Sequence, residues 1–410
     1  MLRVMLLIPG ASYRAPDFMA AAARLDIEVV VGTDERHPLQ DLQPARQVAL
    51  DFLDPEAGAA QVESFAERYS LDAIIAVDDA GARLAAYASR RLELPHNPVA
   101  AVEATRNKHL LRLRLAAAGL PSPSFQLVPT DADPALVAEA LEFPVVLKPL
   151  SLSGSRGVIR ADDRDAFAEA FRRIKVLLGK PDIAKECGRL AGHILVEGYL
   201  PGIEVAIEGL LTGGRLEILA LFDKPDPLVG PFFEETIYVT PSRLPAAEQR
   251  RVADTVERGA AALGLRDGPI HAELRINEDG AFPIDIAARS IGGLCSRTLS
   301  FGTGISLEEI ILRHATGAES APHEREKRAA GVMMVPIPRA GRLRAIDGRD
   351  AAAAVPLIES VNIAIRPGST LIPLPEGDQY LGFIFAKGDS PGRVEAALRT
   401  AHALLRFEID

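Results

Sequence analysis

The first hundred residues alternate short aliphatic runs with segments of helical periodicity, and this rhythm limits the possible folds more than any other feature of the chain. The strand segments are residues 4–8, 27–31 and 73–77, and the helical segments between them are residues 16–25 and 81–92. Such an order is typical of a parallel sheet with crossover helices. We therefore expect residues 1–100 to form a small doubly wound, Rossmann-like α/β domain, and we assign it the role of a scaffold.

From residue 143 onward the pattern changes to strands separated by glycine-containing loops. The strand segments are 145–148, 194–197, 203–211, 216–222, 270–276 and 282–287. One helix is predicted before them, at 106–118, and two among them, at 165–178 and 246–263. Thr105 is the expected N-cap of the first of these helices. Residues 101–316 are therefore interpreted as a mixed α+β domain.

A polar, charged stretch at residues 316–331 predicts a linker, and a third unit follows it. Its strand segments are 332–336, 362–366 and 380–386, and a helix at 391–405 has Ser390 as its expected N-cap. This unit carries no chemical motif. We expect residues 317–410 to form a C-terminal α+β domain that covers or completes a pocket formed elsewhere.

The composition restricts the functional classes. With 48% hydrophobic and 25% charged residues the chain is globular, and its formal net charge of -10 argues against nucleic acid or an anionic membrane as a partner. Residues 4–8 are too short for a signal-peptide core of roughly 7 to 15 residues or a membrane span of roughly 20. The two cysteines, Cys187 and Cys295, are too few for a disulfide scaffold, so a reducing compartment, the cytoplasm, is expected.

The most informative segment is residues 271–289, where two alternating strands flank the turn sequence Asn-Glu-Asp-Gly. The pattern predicts a β-hairpin whose apolar face is formed by Ala272, Leu274, Ile276, Phe282, Ile284 and Ile286. Pairing that keeps apolar residues opposite apolar residues puts Glu273 directly across from Asp285, with their Cβ atoms about 4.5 to 5.5 Å apart.

Two facing carboxylates repel each other, so a fold that places them there usually supplies a cation. Ligation by oxygen alone suits Mg²⁺ or Mn²⁺. Glu273 and Asp285 are therefore candidate metal ligands. The alternative is the solvated polar face of a surface hairpin, and the hairpin by itself does not decide between the two.

Two further segments offer groups for a nucleotide. Lys148 ends an aliphatic strand and precedes the loop 151–157, Ser-Leu-Ser-Gly-Ser-Arg-Gly, which can close over phosphates and donate backbone N–H groups. It is not a Walker loop, and an ordinary surface hairpin loop is the alternative. Residues 197–204 join two strands through a sharp turn with a glutamate at each end, an edge that can offer backbone groups to adenine and a carboxylate to a ribose.

Taken in this order, these segments resemble the ATP-grasp superfamily over residues 1–320, and they resemble most closely its carboxylate-amine ligases, including the bacterial L-amino acid ligases that form dipeptides. The resemblance rests on five elements: Lys108 in a helix before Gly-Leu-Pro-Ser-Pro, the strand 145–148, the glycine loop, residues 197–204 and the hairpin. It implies an ATP-grasp domain at residues 101–316, between the N-terminal parallel-sheet domain and the C-terminal α+β domain.

The resemblance implies phosphate-binding roles for several residues. Lys108 and Lys148 would contact the phosphates of ATP, with Ser153 and Ser155 in the loop above them. Lys224 would be a further phosphate contact, and a solvated loop lysine is the alternative for it.

Other roles concern the adenosine and the metal. Glu197 would accept a hydrogen bond from the adenine amino group, the backbone of Leu200 would contact adenine, and Glu204 would bind the ribose. Glu273 and Asp285 would hold Mg²⁺ or Mn²⁺.

The remaining roles concern the reacting groups. Arg289 would steady an acyl phosphate and its tetrahedral adduct and contact the substrate, and the N–H groups of Gly292 and Gly293 would receive the developing oxyanion. Glu235 would contact a substrate amine, with a surface strand edge as the alternative. His271 would face the substrate side of the hairpin, where a histidine is also common as a packing residue.

One departure from the superfamily pattern affects the metal site. Where the superfamily often has Glu-x-Asn before the arginine, this chain has Asp285-Ile286-Ala287, so the amide ligand is missing. His271 lies opposite Ala287 in the predicted register and could partly fill that space. The number of metal ions, one or two, stays open.

The resemblance implies an ATP-dependent ligase that activates a carboxylate as an acyl phosphate and passes it to an amine, releasing ADP and phosphate. The expected ligands are ATP, Mg²⁺ or Mn²⁺, and a small carboxylate and amine, with L-amino acids as the first candidates; a homodimer is compatible with the sequence. Two alternatives stay open. One is another ATP-grasp enzyme, biotin-carboxylase-like or phosphoribosyl-amine-processing, and the other is a nucleotide-binding regulator that has lost catalysis, an idea motivated by Ala287.

Overall fold

The computed structural model of the protein describes residues 2–10, 12–35, 45–318 and 323–410. The N-terminal domain holds a four-stranded parallel sheet in the order β3-β2-β1-β4. Its elements are β1 (Arg3–Leu7), α1 (Ala15–Arg24), β2 (Glu28–Thr33), β3 (Gln47–Ala49), α2 (Pro55–Ala66), β4 (Ala73–Ala76) and α3 (Asp79–Arg91). The predicted doubly wound domain is confirmed.

The central strand of this sheet is buried on both faces, which explains its unbroken aliphatic sequence. Val4 and Leu6 enter one hydrophobic cluster, whereas Met5 and Leu7 enter another. The sequence does not predict β3 and α2, because β3 is only three residues long and five of the twelve residues of α2 are Ala or Gly, whose side chains give little periodicity.

Two short helices connect this domain to the rest, α4 (Val99–Thr105) and α5 (Lys108–Ala117). The predicted N-cap of α5 is wrong: Thr105 ends α4, where its hydroxyl donates to the Val102 carbonyl at 2.8 Å. Asn107 caps α5 instead, and its side chain accepts from the N–H groups of His109 and Leu110.

A second sheet of four strands, in the order β5-β8-β6-β7, covers one side of the molecule. Its elements are β5 (Phe125–Pro129), α6 (Pro134–Glu139), β6 (Val145–Pro149), β7 (Ile159–Ala161), α7 (Arg164–Leu178), α8 (Pro181–Cys187) and β8 (His193–Gly198). The apolar face of α7 packs on this sheet in a cluster of its own. The glycine loop predicted from the sequence connects β6 to β7.

The largest sheet has eight strands in the order β13-β12-β9-β10-β11-β14-β18-β16. The elements from the middle of the chain are β9 (Ile203–Thr212), β10 (Arg215–Lys224), β11 (Ile237–Thr240), α9 (Ala246–Leu263), β12 (Gly268–Asn277), β13 (Gly280–Ala287) and α10 (Leu307–Thr316). Helix α9 packs against the apolar side of β12 and β13. This packing leaves the polar side of the hairpin facing the interior of the molecule.

The register of the hairpin confirms the prediction at its functional end. Glu273 pairs with Asp285, and His271 pairs with Ala287. A bulge follows, so Leu274 pairs with Pro283 rather than with Ile284 as the predicted register requires. The bulge removes Ile284 from the apolar face and turns it, like Asp285, toward the cavity described below.

The C-terminal residues continue the large sheet. Their elements are β14 (Ala329–Val335), β15 (Gly341–Asp347), α11 (Arg349–Ala353), β16 (Ile358–Ile363), β17 (Thr370–Leu371), β18 (Gly382–Gly388), α12 (Pro391–Leu404) and β19 (Arg406–Ile409). Strands β14, β18 and β16 extend the large sheet, and β15, β17 and β19 form a small one. The proposed boundary at residue 316 therefore divides a shared sheet, and it stays a proposal.

Ser390 precedes α12 as predicted, but its side chain makes no capping hydrogen bond, so that part of the prediction is wrong. Part of the linker predicted at 316–331, residues 319–322, lies outside the described residues. Among the described residues, no helix is both long enough and apolar enough to span a membrane.

Candidate functional site

A cavity of about 1230 Å³ lies where the N-terminal domain, the second sheet, the hairpin and the C-terminal residues meet. All but one of the residues proposed for the site from the sequence line this cavity. The exception is Lys224, which lies behind three of the glutamates that do line it. The structure therefore brings together segments that are far apart in the sequence, although the role of each residue stays a prediction.

Two lysines lie at the end of the cavity covered by the glycine loop. Lys108 stands at the start of α5, and its ammonium donates to the Leu152 carbonyl at 2.7 Å. Lys148 is buried, with its Nζ 2.7 Å from Oε2 of Glu197. Burial lowers the pKa of Lys148, and Glu197 offsets only part of this effect. Ser153 and Ser155 lie in the loop above these lysines and face the cavity.

Glu197 is fixed by a residue that the sequence analysis missed. Arg112, almost fully buried on α5, donates to both oxygens of Glu197, at 2.6 and 3.3 Å, and to the carbonyls of Pro283 and Ile284. Arg112 thus ties β8 to the bulge of the hairpin. The only sequence signal for this contact is that Arg112 lies on the apolar side of a helix, three residues before Leu115.

The edge predicted to contact adenosine lies along the same cavity. Leu200 lines it two residues after the end of β8, and Glu204 is the second residue of β9. Gly202, between them, has a φ of 124°, and a Cβ there would lie 2.1 Å from the Ile276 carbonyl oxygen. The edge can therefore approach the hairpin this closely only with glycine. The carboxylate of Glu204 is held by Lys224 at 2.7 Å and by Arg275 at 2.9 Å.

Lys224 is enclosed by three carboxylates. Its Nζ lies 2.7 Å from Glu204, 2.7 Å from Glu235 and 3.2 Å from Glu273. Burial would lower the pKa of Lys224, but the three carboxylates outweigh burial and raise it well above its usual value. The side chain that we expected to contact phosphate or solvent is thus an internal counter-ion in this structure.

The pKa values of two of the carboxylates around Lys224 are shifted in opposite directions. Burial and the charge of Glu273 raise the pKa of Glu235 to about 7. Burial acts in the same direction on Glu273, but Lys224 and His271 outweigh it and hold the pKa of Glu273 well below its usual value. The hydroxyl oxygen of Tyr238 lies 2.9 Å from Glu235 and 3.3 Å from Glu273, so its single proton can be donated to either glutamate. The environment therefore favours the carboxylate form of Glu273, whereas it favours the protonated form of Glu235 more than solvent would.

The donor set of the hairpin fits a magnesium ion. Glu273 and Asp285 face each other across β12 and β13 and both line the cavity. Facing oxygen donors of this kind suit Mg²⁺ or Mn²⁺. A second group of carboxylate oxygens, from Glu204, Glu235 and Glu273, also lies within 4.8 Å of one another, but it encloses the ammonium of Lys224.

His271 lies beside this group and is buried between two glutamates. Its Nδ1 is 3.3 Å from Glu208 and its Nε2 is 3.4 Å from Glu273. Burial would lower its pKa, but hydrogen bonds to both glutamates raise the pKa to about 9. Glu208, completely buried on β9, also accepts from the N–H of Ile291 at 2.9 Å, so it links His271 to the loop that contains Gly292 and Gly293.

Arg289 follows the hairpin and is held by the N-terminal domain. Its guanidinium donates to Asp79 at 2.7 Å, and Arg106 lies 3.2 Å from the other oxygen of Asp79. Burial would lower the pKa of Arg289, but Asp79 raises it further above its usual range. Gly292 and Gly293 come next in the chain and line the same part of the cavity.

The scaffold role assigned to the N-terminal domain is incomplete, because residues that follow its parallel strands line the cavity. Ser12 and Tyr13 follow β1, and Asp78 and Asp79 follow β4. Ligands of doubly wound domains bind at the carboxyl ends of the strands. The two adjacent aspartates after a predicted strand were therefore a signal that sequence reasoning could have used.

A segment of the C-terminal region, residues 372–380, reaches the glycine loop, and we call it the strap. Arg156 of the loop donates to the Glu376 carbonyl at 2.9 Å and to Asp378 at 3.1 Å, and the N–H of Gly157 donates to the Pro375 carbonyl at 2.8 Å. Arg173 on α7 makes a two-point ion pair with Glu376. The strap therefore contacts the glycine loop and also lines the cavity, through Asp378 and Tyr380.

Three family models match the chain, in an order that agrees with this architecture. Residues 19–96 match an ATP-grasp N-terminal domain, residues 141–298 match an ATP-grasp domain, and residues 333–410 match the L-amino acid ligase C-terminal domain 2.

Similar proteins point the same way. The chain is 29% identical over 312 residues to the uncharacterized protein y4rH of Sinorhizobium fredii, and this match covers 76% of this chain and 63% of that protein. It is 28% identical over 268 residues to the alanine–anticapsin ligase of Bacillus subtilis, and this match covers 62% of this chain and 55% of that protein. The chain thus spans less than two thirds of the length of these two relatives.

A solved structure matches along the whole chain. The L-amino acid ligase from Bacillus licheniformis superimposes with a TM-score of 0.85 and 26% sequence identity, and the match covers 100% of this chain and 99% of that one. The chain has the ATP-grasp fold, and the fold class predicted from the sequence is confirmed. Within the superfamily it is similar to the L-amino acid ligases, as the sequence motifs indicate.

Proposed function

We propose that this protein is an ATP-dependent ligase that joins the carboxylate of one L-amino acid to the amine of a second substrate and releases ADP and phosphate. One observation carries the proposal: a single cavity contains the two lysines beneath the glycine loop, the facing carboxylates Glu273 and Asp285, and Arg289. Groups for a triphosphate and groups for an acyl transfer therefore share one space. The similarity to L-amino acid ligases supports the same reaction.

The first half of the reaction is phosphoryl transfer to the substrate carboxylate. Lys108 and Lys148 would hold the phosphates and neutralise charge on the transferred group, so catalysis would come mainly from positioning and electrostatics. Glu273 and Asp285 would hold Mg²⁺, which when bound supplies charge neutralisation and alignment for phosphates. The glycine loop, tied down by the strap, would exclude water from the acyl phosphate.

The second half is attack of an amine on the acyl phosphate. The amine nitrogen forms a bond to the carbonyl carbon, the nitrogen loses a proton, and the bond to the phosphate oxygen breaks. Arg289 would stabilise negative charge on the departing phosphate, and the N–H groups of Gly292 and Gly293 would receive the oxyanion. No protein nucleophile takes part in this scheme.

Glu235 would bind the ammonium group of an amino acid substrate. It lies at the boundary between the cavity and the buried Lys224, and its pKa of about 7 allows a carboxylate to form when a cation arrives. His271 would position Glu273 on one side and, through Glu208, the glycine-containing loop on the other.

The proposal is tested by incubating the protein with ATP, Mg²⁺ and pairs of L-amino acids, and by measuring ADP, phosphate and the mass of the product. Amino-acid-dependent ADP release together with a condensation product is the expected result. Turnover only with bicarbonate or formate would indicate another ATP-grasp enzyme. Tight ATP binding without ADP formation for any pair would indicate a nucleotide-binding regulator.

The metal assignment has a separate test. Glu273→Ala should abolish turnover while the circular dichroism spectrum stays unchanged, and it should weaken Mn²⁺ binding measured by electron paramagnetic resonance. Near-normal activity in this variant would contradict the assignment. The same Mn²⁺ titration of the unaltered protein reports whether one ion or two are bound.

A further inference from the structure

One part of the cavity is apolar and aromatic, in contrast to the charged residues described so far. We call it the apolar wall; it is formed by Tyr13, Cys295, Met334, Tyr380 and Phe383. Phe383 lies at its centre, with ring centroids 5.8 Å from Tyr13 and 6.1 Å from Tyr380. The sulfur atoms of Cys295 and Met334 are 3.8 Å apart. The wall combines residues from the N-terminal domain, the large sheet and the strap.

The apolar wall contacts the Gly292–Gly293 loop at one end. Gly293 has a φ of 59°, and a Cβ at that position would lie 3.2 Å from Cε1 of Phe383 and 3.8 Å from Sγ of Cys295. The aromatic ring therefore packs directly against the backbone of Gly293. Any group held by the N–H of Gly293 is within reach of the wall.

The wall reaches Glu235 at its other end. The N–H of Met334 donates to the carbonyl of Thr236, the residue after Glu235, at 2.7 Å. Burial, together with the nearby charge of Glu235, raises the pKa of Tyr380 well above its usual value. The wall thus spans the distance between the group proposed to bind a substrate ammonium and the group proposed to receive the oxyanion.

The cations beside the wall, Arg14 and Lys224, are buried in ion pairs with glutamates, so the groups left to face a ligand there are carboxylates. Asp78 and Asp378 line the cavity beside it, as does Glu235. An anionic side chain placed against the wall would lose its hydration and face these carboxylates. An apolar side chain would instead release water from Met334 and the aromatic rings, which is favourable.

From these contacts we infer that the amino acid bound between Glu235 and the Gly292–Gly293 loop carries a neutral apolar side chain, which packs against the apolar wall. This inference rests on the proposed function and names the substrate class of the same site. One methylene group in a hydrophobic pocket changes kcat/KM by about 10- to 200-fold. The preference is therefore large enough to measure.

The first experiment compares amino acids in the ligation assay. Leucine, methionine and phenylalanine are each paired with every member of a panel that also contains glycine, aspartate and lysine. We expect kcat/KM for the apolar members to exceed that for glycine, aspartate and lysine by at least about tenfold. A preference for aspartate or for lysine would overturn the inference and leave the proposed ligase function intact. Absence of ADP release with every pair would count against the proposed function itself.

The second experiment changes the volume of the wall in both directions. Met334→Ala should shift the preference toward larger side chains, and Met334→Phe should shift it toward smaller ones, each by about tenfold in the ratio of kcat/KM for phenylalanine to that for leucine. Met333→Ala is the matched control: Met333 is the neighbouring buried methionine on β14, but its side chain enters a different hydrophobic cluster that does not belong to the cavity wall.

A change in the ratio of kcat/KM between substrates distinguishes substrate binding by the wall from a purely structural role. If Met334→Ala and Met333→Ala both lower the melting temperature but neither changes the ratio of kcat/KM, the wall is only part of the core and the inference is wrong. Should Met334→Phe fail to fold, Tyr380→Leu provides a half-buried alternative on the strap. That variant should raise kcat/KM for the larger apolar substrates relative to the smaller ones, and an unchanged ratio would also overturn the inference.

Discussion

Arg289 donates a hydrogen bond to Asp79 at 2.7 Å, although 210 positions separate the two residues in the chain. Asp79 also pairs with Arg106, so one carboxylate holds two guanidinium groups that line the cavity. Burial would raise the pKa of Asp79, but the two arginines outweigh burial and hold the pKa far below its usual value. The N-terminal domain therefore fixes the position of the arginine that we propose to stabilise the acyl phosphate.

Replacing Asp79 by asparagine should lower kcat more than it changes the KM for ATP. The amide keeps the shape of the side chain but removes the charge that orients Arg289, and a misplacement of about 1 Å can cost about 100-fold in rate. We expect kcat to fall by roughly 10- to 100-fold in steady-state assays. Asp17→Asn is the control, because it weakens an Arg–Asp pair with Arg297 elsewhere on the N-terminal domain. Equal kcat values for the Asp79 variant and the unaltered protein would refute the positioning role.

Removing Lys224 should make the stability of the protein depend on divalent cations. Lys224→Met leaves three carboxylates close together without their ammonium, and loss of one partner from a buried ionic group costs about 3–5 kcal/mol. Added Mg²⁺ or Mn²⁺ can take the place of that ammonium among the oxygen donors. The melting temperature of the variant should therefore rise with added metal by more than that of the unaltered protein.

Lys387→Met is the matched control for this experiment. Lys387 pairs with one half-buried carboxylate, Glu326, rather than with three. Its loss should lower the melting temperature slightly without creating a metal response. An identical metal response in both lysine variants would contradict the counter-ion role of Lys224.

The sequence alone predicted those parts of the molecule that depend on local patterns. The alternation along residues 271–287 was sufficient to place Glu273 opposite Asp285, because one apolar face must be buried and a shift by one residue would expose it. The bulge at Ile284 could not be predicted, because it depends on how the hairpin meets Arg112 from α5.

Contacts between distant segments could not be predicted from the sequence. Nothing in the order of residues indicates that Asp79 meets Arg289 or that Arg112 meets Glu197, since these pairs form only when separate sheets pack together. For the same reason Lys224 was interpreted as a phosphate contact or a solvated lysine. Its three acidic neighbours come from β9, β12 and the segment before β11.

The strap should control how firmly the glycine loop closes over the nucleotide. Glu376→Gln removes the charge that pairs with Arg173, and a partly exposed pair of this kind contributes about 1 kcal/mol, equivalent to about fivefold in an equilibrium constant. We expect the KM for ATP to rise by about this factor, with faster hydrogen exchange in residues 151–157. Asp389→Asn disrupts an exposed pair in the same region and should change neither quantity. If the two variants behave alike, the strap does not hold the loop.

The buried cluster of Glu197, Arg112 and Lys148 should give the protein a defined loss of stability in acid. Burial would raise the pKa of Glu197, but the two cations outweigh it and lower the pKa from 4.5 to about 2. A group whose pKa is lowered on folding contributes stability that is fully present above the unfolded value and is lost as the pH falls through the folded value. The contribution should therefore be constant above pH 4.5 and disappear toward pH 2.

Comparison with Glu197→Gln isolates this contribution. At neutral pH the free energy of unfolding from urea titrations should be lower in the variant by about 3 kcal/mol, the value of the pKa shift at 1.36 kcal/mol for each unit. The difference should shrink as the pH falls below 4.5. In that range the Glu197 carboxyl of the unfolded chain takes up a proton while that of the folded protein does not, and this favours the unfolded chain. Glu63→Gln, which affects an exposed pair with Arg91, should show little difference at any pH. A gap between Glu197→Gln and the unaltered protein that persists undiminished in acid would mean that packing around Glu197, rather than its charge, stabilises this part of the fold.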